Sequence, residues 1–486
     1  MRISWTTSIA WALSVGAVGT AADVIDIDTR RELFVDDFVI ERLKGDIDLR
    51  LHHPIPREVV FTADRPWEGN LMFHVTVFRD GGICRMYYRG WDYDEKNRRT
   101  SEHKFICYAE SDDAVHWERP ELGIVEFQGS KKNNIILDCR QGVAGNGAFA
   151  VFRDDSPNCD PTARYKALAL HKKNGQGLYA FGSGDGIHWS LLDEHPCITR
   201  GVFDSHNLAF WDEHTGEYRA YWRYFDENVR AIRTATSNDF LHWPEDSDLQ
   251  YGNTPREHLY TNAVQRYGRA PQLLIGFPKR FVPGRTSPAG FHLNDVSDCV
   301  FMSSRDGVQF HRRAEAFIRP GLQSDRWVSR NNFTAWGLIE TPSTLDGAPD
   351  ELSLFSTEGY YRGPATRLRR YTLRQDGFVS AHAPFSGGEL ITKLLTFHGS
   401  QLEINFSTSA AGSLRIEIQD AEGQPVAGYA LDDCPEIFGD EIQHVVTFKT
   451  TRDLTSLSGT PVRLRFVLKD ADVYAFRVVD QEPLRK

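Results

Sequence analysis

A chain of 486 residues is long for a single hydrophobic core, so two domains are expected. Hydrophobic residues at 41% and charged residues at 25% match ordinary globular proteins, while 12% aromatics favour β-structure and sugar-stacking surfaces. The net charge of −11, with no basic cluster interleaved with aromatics, speaks against a nucleic-acid partner.

Arg2, an apolar stretch from Ile9 to Val18 and the small pair Ala21-Ala22 have the composition of a secretory leader, so residues 1–22 are set apart from the fold. A secreted or periplasmic protein is expected, with no membrane span, since no apolar stretch reaches the required length. Residues 23–59 are expected to close the fold that follows, with Glu32 to Ile40 as the closing strand. The seven cysteines contain no C-x-x-C pair, which excludes the common zinc and thioredoxin spacings; one or two disulfides at most are expected.

From about residue 60 to residue 385 the chain repeats. Ser111-Asp112-Asp113-Ala114-Val115-His116-Trp117, Ser183-Gly184-Asp185-Gly186-Ile187-His188-Trp189, Ser237-Asn238-Asp239-Phe240-Leu241-His242-Trp243 and Ser304-Arg305-Asp306-Gly307-Val308-Gln309-Phe310 share one pattern. Ser and Asp are turn formers, glycine takes a positive φ, and the aromatic is expected to pack under the next blade. Alternating strand–turn–strand segments, such as Val75 to Arg89 and Leu208 to Arg223, interleave with these hairpins. Together they make antiparallel units of roughly 50–75 residues, the size of a propeller blade. A fifth unit runs from Phe333 to Leu373, so an all-β, five-bladed propeller is predicted over 60–385. Residues 386–486 change character: Leu402–Ser407, Leu414–Ile418, His444–Phe448 and Val462–Val467 alternate apolar and polar, as in a β-sandwich.

In a propeller, starts of inner strands and ends of second strands converge on the axis. Glu68, Asp204, Glu257 and Arg330 occupy the first kind of position; Arg89 with Asp92, Arg223, Lys279 with Arg280, and Glu358 occupy the second. Carboxylates from different blades around one axis suit glycoside hydrolysis, where one protonates the leaving oxygen and another activates water or attacks carbon. Asp204, Glu257 and Glu68 are the expected catalytic set. Trp67, Arg89, Asp92, His206, Arg223, Arg280, Arg330 and Glu358 are expected to line the substrate pocket. The repeated Asp113, Asp185, Asp239 and Asp306 are expected to be structural, because one reaction does not need a copy in every blade. No metal site and no cofactor are implied, although a structural calcium ion is compatible with the sequence. H-E-x-x-H, G-x-S-x-G and Walker-type loops are absent.

The Ser-x-Asp-Gly-x-His-Trp hairpins, Asp80-Gly81-Gly82 leading into Arg85-Met86-Tyr87-Tyr88-Arg89, and the trailing sandwich resemble the propeller glycosidases of families 43 and 32. Pro66-Trp67-Glu68-Gly69, Leu368 to Arg374 and Asp376 to Ser380 are similar to a secreted bacterial group labelled family-32-like. The resemblance implies a middle-blade Asp at Asp204 and an acid at Glu257; the family's first-blade Asp motifs are missing, and Glu68 is the nearest carboxylate. An exo-acting glycosidase on a plant or algal glycan is expected. Arg89, Arg223, Arg280 and Arg330 suit carboxylate or sulfate groups on that sugar. A glycan-binding propeller without catalysis is the alternative, but a lectin would repeat its binding residues in each blade, and these differ from blade to blade. A glycoside phosphorylase, a third reading, needs a phosphate supply that an exported protein rarely meets.

Overall fold

The computed structural model describes residues 24–480 apart from 143, 145–147, 329 and 451–452; the leader expected at 1–22 lies outside them. Five antiparallel sheets form the blades of a propeller. The first contains Thr76–Asp80, Ile83–Gly90, Phe105–Ser111 and Ile135–Asp138, and the second Ala150–Arg153, Tyr165–His171, Gly177–Ser183 and Ser190–Leu191. The third contains Leu208–Asp212, Glu217–Asp226, Val229–Ser237 and Asp246–Asp248. The fourth contains Gln265–Tyr267, Ala270–Gly276, Asp295–Ser304 and His311–Ile318, extended by His258–Leu259 and Lys279–Pro283. In the fifth, Ile339–Thr341, Glu351–Glu358 and Arg367–Arg374 are joined by Ile55–Thr62.

That last pairing closes the ring, and it corrects the expected closing strand. Glu32–Leu33 and Ile40–Gly45 pair instead with Arg463–Val479 and Gly388–Thr392 of the C-terminal module. Around the axis, closure is completed where the Val77 amide donates to the Trp336 carbonyl at 2.8 Å and the Trp336 amide to Val75 at 2.8 Å. Gly337 makes this possible: a Cβ there would lie 1.7 Å from the Val77 carbonyl oxygen.

The repeated hairpin is a small hydrogen-bonded device. In the first copy, Asp113 Oδ1 accepts the amides of Val115 and His116 at 2.8 Å each, and Ser111 Oγ accepts that of Ala114 at 2.9 Å. The same contacts recur at Asp185, Asp239 and Asp306, so all four repeated aspartates serve the turn. The residue after each Asp is left-handed: φ is 64° at Ala114, 81° at Gly186, 68° at Phe240 and 81° at Gly307. The aromatics pack on the preceding blade, not the following one. Trp117 meets Phe355, Trp189 meets Tyr87 and Phe310 meets Tyr221, each edge to face. Polar anchors run the same way, with Tyr87 donating to the Gly186 carbonyl and Tyr221 to that of Gly307, both at 3.1 Å.

Beyond Arg374 the chain leaves the ring, and Val379–Ala383 already pairs with the C-terminal strand Arg463–Val479. Gln401–Gln419 and Arg463–Val479, the two longest strands, pair along most of their length within an eight-stranded sheet that also takes in Asp48–Leu51. Its inner face buries Leu402, Ile404, Phe406, Ile416, Phe466 and Phe476 in a core separate from those of the blades. Asp376 binds the two modules. Fully buried, its carboxylate accepts from Tyr267 at 2.7 Å, Arg269 at 2.9 Å, Arg31 at 3.3 Å and Asn405 at 3.1 Å. The seven cysteines stand as separate thiols, five of them buried. Among the described residues no helix is long and apolar enough to cross a membrane.

Candidate active site

One end of the axis gathers a layer of cations and rings. Arg89, at the end of a second strand in the first blade, donates to the Leu71 carbonyl and to the Tyr360 hydroxyl at 2.9 Å, and lies 3.4 Å from the Phe73 ring centroid. Arg223 of the third blade pairs with Asp204 and lies 4.7 Å from the Tyr260 ring. Arg330 donates to the Tyr361 hydroxyl at 2.6 Å. Beneath them the Lys279 amine faces Phe333 at 4.1 Å and Tyr260 at 4.7 Å. His74 and His206 stack at 5.3 Å between centroids, and His206 Nε2 meets the Thr76 hydroxyl at 3.2 Å. The first, third, fourth and fifth blades all contribute. The repeat builds the ring, while the axis is asymmetric.

Several polar atoms of this layer are buried with no hydrogen-bond partner: Lys279 Nζ, both ring nitrogens of His74, Arg223 Nε and Arg230 Nε. Leaving a buried donor unsatisfied costs about 1–3 kcal/mol. Ordered water or a ligand satisfies such donors, and a cluster of them at one place marks a candidate ligand site. Burial, reinforced by Arg330, Arg230 and Arg223, drives the Lys279 pKa well below the usual range of an amine. Burial likewise lowers His206 to about 3 and, helped by His206, keeps His74 far below its ordinary value. Both histidines are therefore neutral at pH 7, and the charge here belongs to the guanidinium groups.

The layer has a cover. The segment joining Lys279–Pro283 to Asp295–Ser304 folds back so that Phe291 stacks on Tyr361 at 5.4 Å and His292 on Tyr93 at 6.4 Å. Asp204, with a side chain 48% exposed, marks the way in.

No protein-family model matches the chain. Two curated relatives, both uncharacterised proteins of Mycobacterium tuberculosis, are 27% identical over 160 and 161 residues, which is 31% of this chain and 45% of each relative. The chain thus spans less than half the length of the curated relatives it matches. Among solved structures, an endo-1,4-β-xylanase from Bacteroides thetaiotaomicron aligns over 67% of this chain and 97% of its own, with 11% identity and a TM-score of 0.43. A β-fructofuranosidase from Bombyx mori covers 89% of this chain and 95% of its own at 12% identity and a TM-score of 0.40. An N-acetylgalactosamine deacetylase from F. plautii, in complex with blood group B trisaccharide, covers 68% and 94% at 12% identity and a TM-score of 0.41. At such scores the likeness is loose, and the five blades rest on the strand pairing of this chain itself.

Of the three carboxylates expected to act together, only Asp204 reaches the axial layer. Glu68 is fully buried elsewhere in the first blade, accepting from Tyr88 at 2.5 Å and from Arg119 at 2.8 Å. Glu257 is clamped between Arg280 at 3.1 Å and Arg312 at 2.5 Å, in a cleft that Tyr224, Asp248 and Tyr251 also line. Glu358 is held by Arg367 at 3.1 Å and Arg369 at 2.9 Å across its own strand pair. Each of these carboxylates already has its cations.

Among the expected pocket residues, Arg89, His206, Arg223 and Arg330 belong to the layer. Arg280 does not: along Lys279–Pro283 side chains alternate, so Lys279 faces the axis while Arg280 turns to Asp298 at 2.7 Å. Trp67 donates its indole N–H to Asn134 at 2.8 Å, and Asp92 receives the Asn70 amide at 3.4 Å, both away from the cations. Sequence reading missed His74, Arg230, Asp295, Tyr260, Tyr360 and Tyr361. Strand-end position pointed to Lys279 equally with Arg280, and period-two alternation was the signal that could have separated them.

Glu68→Ala is expected to lower stability by about 1–3 kcal/mol, because it removes the acceptor of the buried Tyr88 hydroxyl and leaves half-buried Arg119 with Asp64, at 3.4 Å, as its acid. Urea unfolding measures this. A variant as stable as the parent but devoid of activity would return Glu68 to the catalytic list.

Proposed function

We propose that this chain is a carbohydrate-active enzyme whose axial pocket takes an acidic sugar and cleaves the glycosidic bond beside it. The observation that carries the reading is the set of unpartnered buried donors on Lys279, His74, Arg223 and Arg230, gathered at the axis of a protein that is acidic as a whole. Guanidinium groups are forks matched to carboxylate or sulfate, and the rings of Tyr260, Tyr360 and Phe333 offer faces to a sugar. The covering segment, with Phe291 on Tyr361 and His292 on Tyr93, favours attack at a chain end over attack within a chain. The composition of residues 1–22 fits an enzyme that meets its glycan outside the cytoplasm.

A binding-only propeller is less well supported, because its blades would present equivalent residues to the ligand, whereas here the equivalent second-strand ends carry unlike residues, Arg89, Arg223, Lys279 and Glu358. The test is a panel of plant and algal glycans, with uronate-containing and sulfated members set beside neutral ones, scored for binding by calorimetry and for release of short products. Release from acidic glycans alone is the expected result. Cleavage confined to neutral glycans would overturn it.

A further inference from the structure

We propose that the bond is broken by β-elimination at a 4-linked uronic acid, with Lys279 as the base that removes the C5 proton. This rests on the reading that the axial pocket takes an acidic sugar, and it names both the sugar class and the reaction. Hydrolysis needs two working carboxyl groups flanking the bond. Elimination needs a base, an acid and cations on the sugar carboxylate, and those are the groups that the axis assembles.

The base has an unusual setting. Lys279 is 0% exposed, its amine has no hydrogen-bond partner, and rings of Phe333, Tyr260 and Phe281 surround it. The charged and titratable groups facing it include Arg223, Arg230, Arg330, His74 and Tyr260, with Asp295 as an acid among them. Burial and the surrounding cations push the amine's pKa down, which favours the neutral form with a lone pair to offer. Arg330 and the unpartnered Nε of Arg223 are placed to receive the sugar carboxylate. Neutralising that carboxylate makes the adjacent C5–H acidic enough to lose. The Tyr260 hydroxyl, which lies 3.5 Å from the Asp204 carbonyl and beside the Arg223 guanidinium, supplies the acid.

The step balances without water, oxidant or metal. The Lys279 lone pair takes the C5 proton, and the C5–H electrons form a C4=C5 double bond. The C4–O4 bond breaks with its electrons on O4, and O4 takes the Tyr260 proton. Proton transfer from the Lys279 ammonium to the Tyr260 phenolate restores both groups. The products are a 4,5-unsaturated uronide and a shortened chain with a free hydroxyl.

The experiment treats the full chain with 4-linked oligouronides of galacturonate, glucuronate and mannuronate, and with their C6-reduced counterparts, in water enriched in oxygen-18. Elimination predicts ultraviolet absorbance from the new conjugated double bond, no oxygen-18 in the products, and no reaction of the reduced substrates. The rate should rise with pH through the ionisation of the amine and hold above it. Lys279→Ala should lower turnover by about 10²- to 10⁴-fold and be partly rescued by added small primary amines. Lys279→Arg, which keeps a long side chain but cannot act as a base, should remain inactive, and its melting temperature and oligouronide affinity, measured alongside, separate loss of the base from the cost of the added buried charge. Acidic oligosaccharides cleaved with oxygen-18 incorporated would overturn elimination and leave the acidic-sugar reading standing. An absence of both binding and cleavage across the acidic panel would overturn both. Full activity in Lys279→Arg would remove Lys279 from the reaction.

Discussion

Asp376→Ala is expected to destabilise the protein by about 3–5 kcal/mol, the cost of breaking a buried ion pair from one side. The carboxylate has no exposure and collects Tyr267 and Arg269 from the fourth blade, Arg31 from the N-terminal segment and Asn405 from the C-terminal module. Removing it strands two guanidinium groups at the junction. Arg305 pins the same N-terminal segment through Glu32 and Asp36 at 2.9 Å each, so loss of Asp376 should loosen the junction without opening the blades. Chemical unfolding followed by both tryptophan fluorescence and limited proteolysis would show the C-terminal module released first. Burial by itself would raise the Asp376 pKa, but Arg269 and Arg31 outweigh it and set the folded value below the ordinary 3.8. The stability it contributes is therefore fully present above that value and lost as pH falls through the lower folded value. In Asp376→Ala that portion of the acid sensitivity should vanish; an unchanged acid-unfolding profile would show that the carboxylate does not govern it.

Arg330→Gln is expected to weaken binding of an acidic oligosaccharide by roughly 30- to several-thousand-fold, the consequence of removing one partner of a desolvated charge pair at about 2–5 kcal/mol. Arg330, in the segment leading into the fifth blade, has a left-handed φ of 65°, donates to the Tyr361 hydroxyl and lies near enough to Lys279 to disfavour a charge on its amine. The substitution retains length and polarity and removes only the charge and fork. Isothermal titration with a uronate oligosaccharide and its C6-reduced form measures the effect. The acidic ligand should lose affinity and the reduced one should not. Equal losses for both would mean that Arg330 shapes the pocket without reading the charge.

The hairpins explain how much of the fold could be read from the chain. Ser, Asp and an aromatic at fixed offsets make a local turn whose hydrogen bonds close within seven residues, so each copy is visible without knowledge of its neighbours. Five copies of a strand–turn–strand unit then define five blades. Ring closure was misplaced because Glu32 to Ile40 and Ile55–Thr62 are both strand-forming, and only the partner's edge decides between them. Alternation likewise marked the C-terminal strands, but their union with Ile40–Gly45 and Asp48–Leu51 is a pairing between distant segments.

The axial pocket divides in the same way. Position along the strands sufficed to place Arg89, His206, Arg223, Arg330 and Asp204 near the axis, because a propeller converges where inner strands begin. It could not tell Glu68, Glu257 and Glu358 from working acids, since their arginines come from residues 10 or more positions away or from strands paired across the blade: Arg119, Arg312 and Arg369. Nor could it show that Lys279 lies unpartnered beneath three guanidinium groups. The repeated turn chemistry, local in the chain, determined the five-bladed ring; the charge state and partners of each axial side chain were decided by tertiary packing, because burial and ion pairing depend on neighbours that the chain brings from other blades.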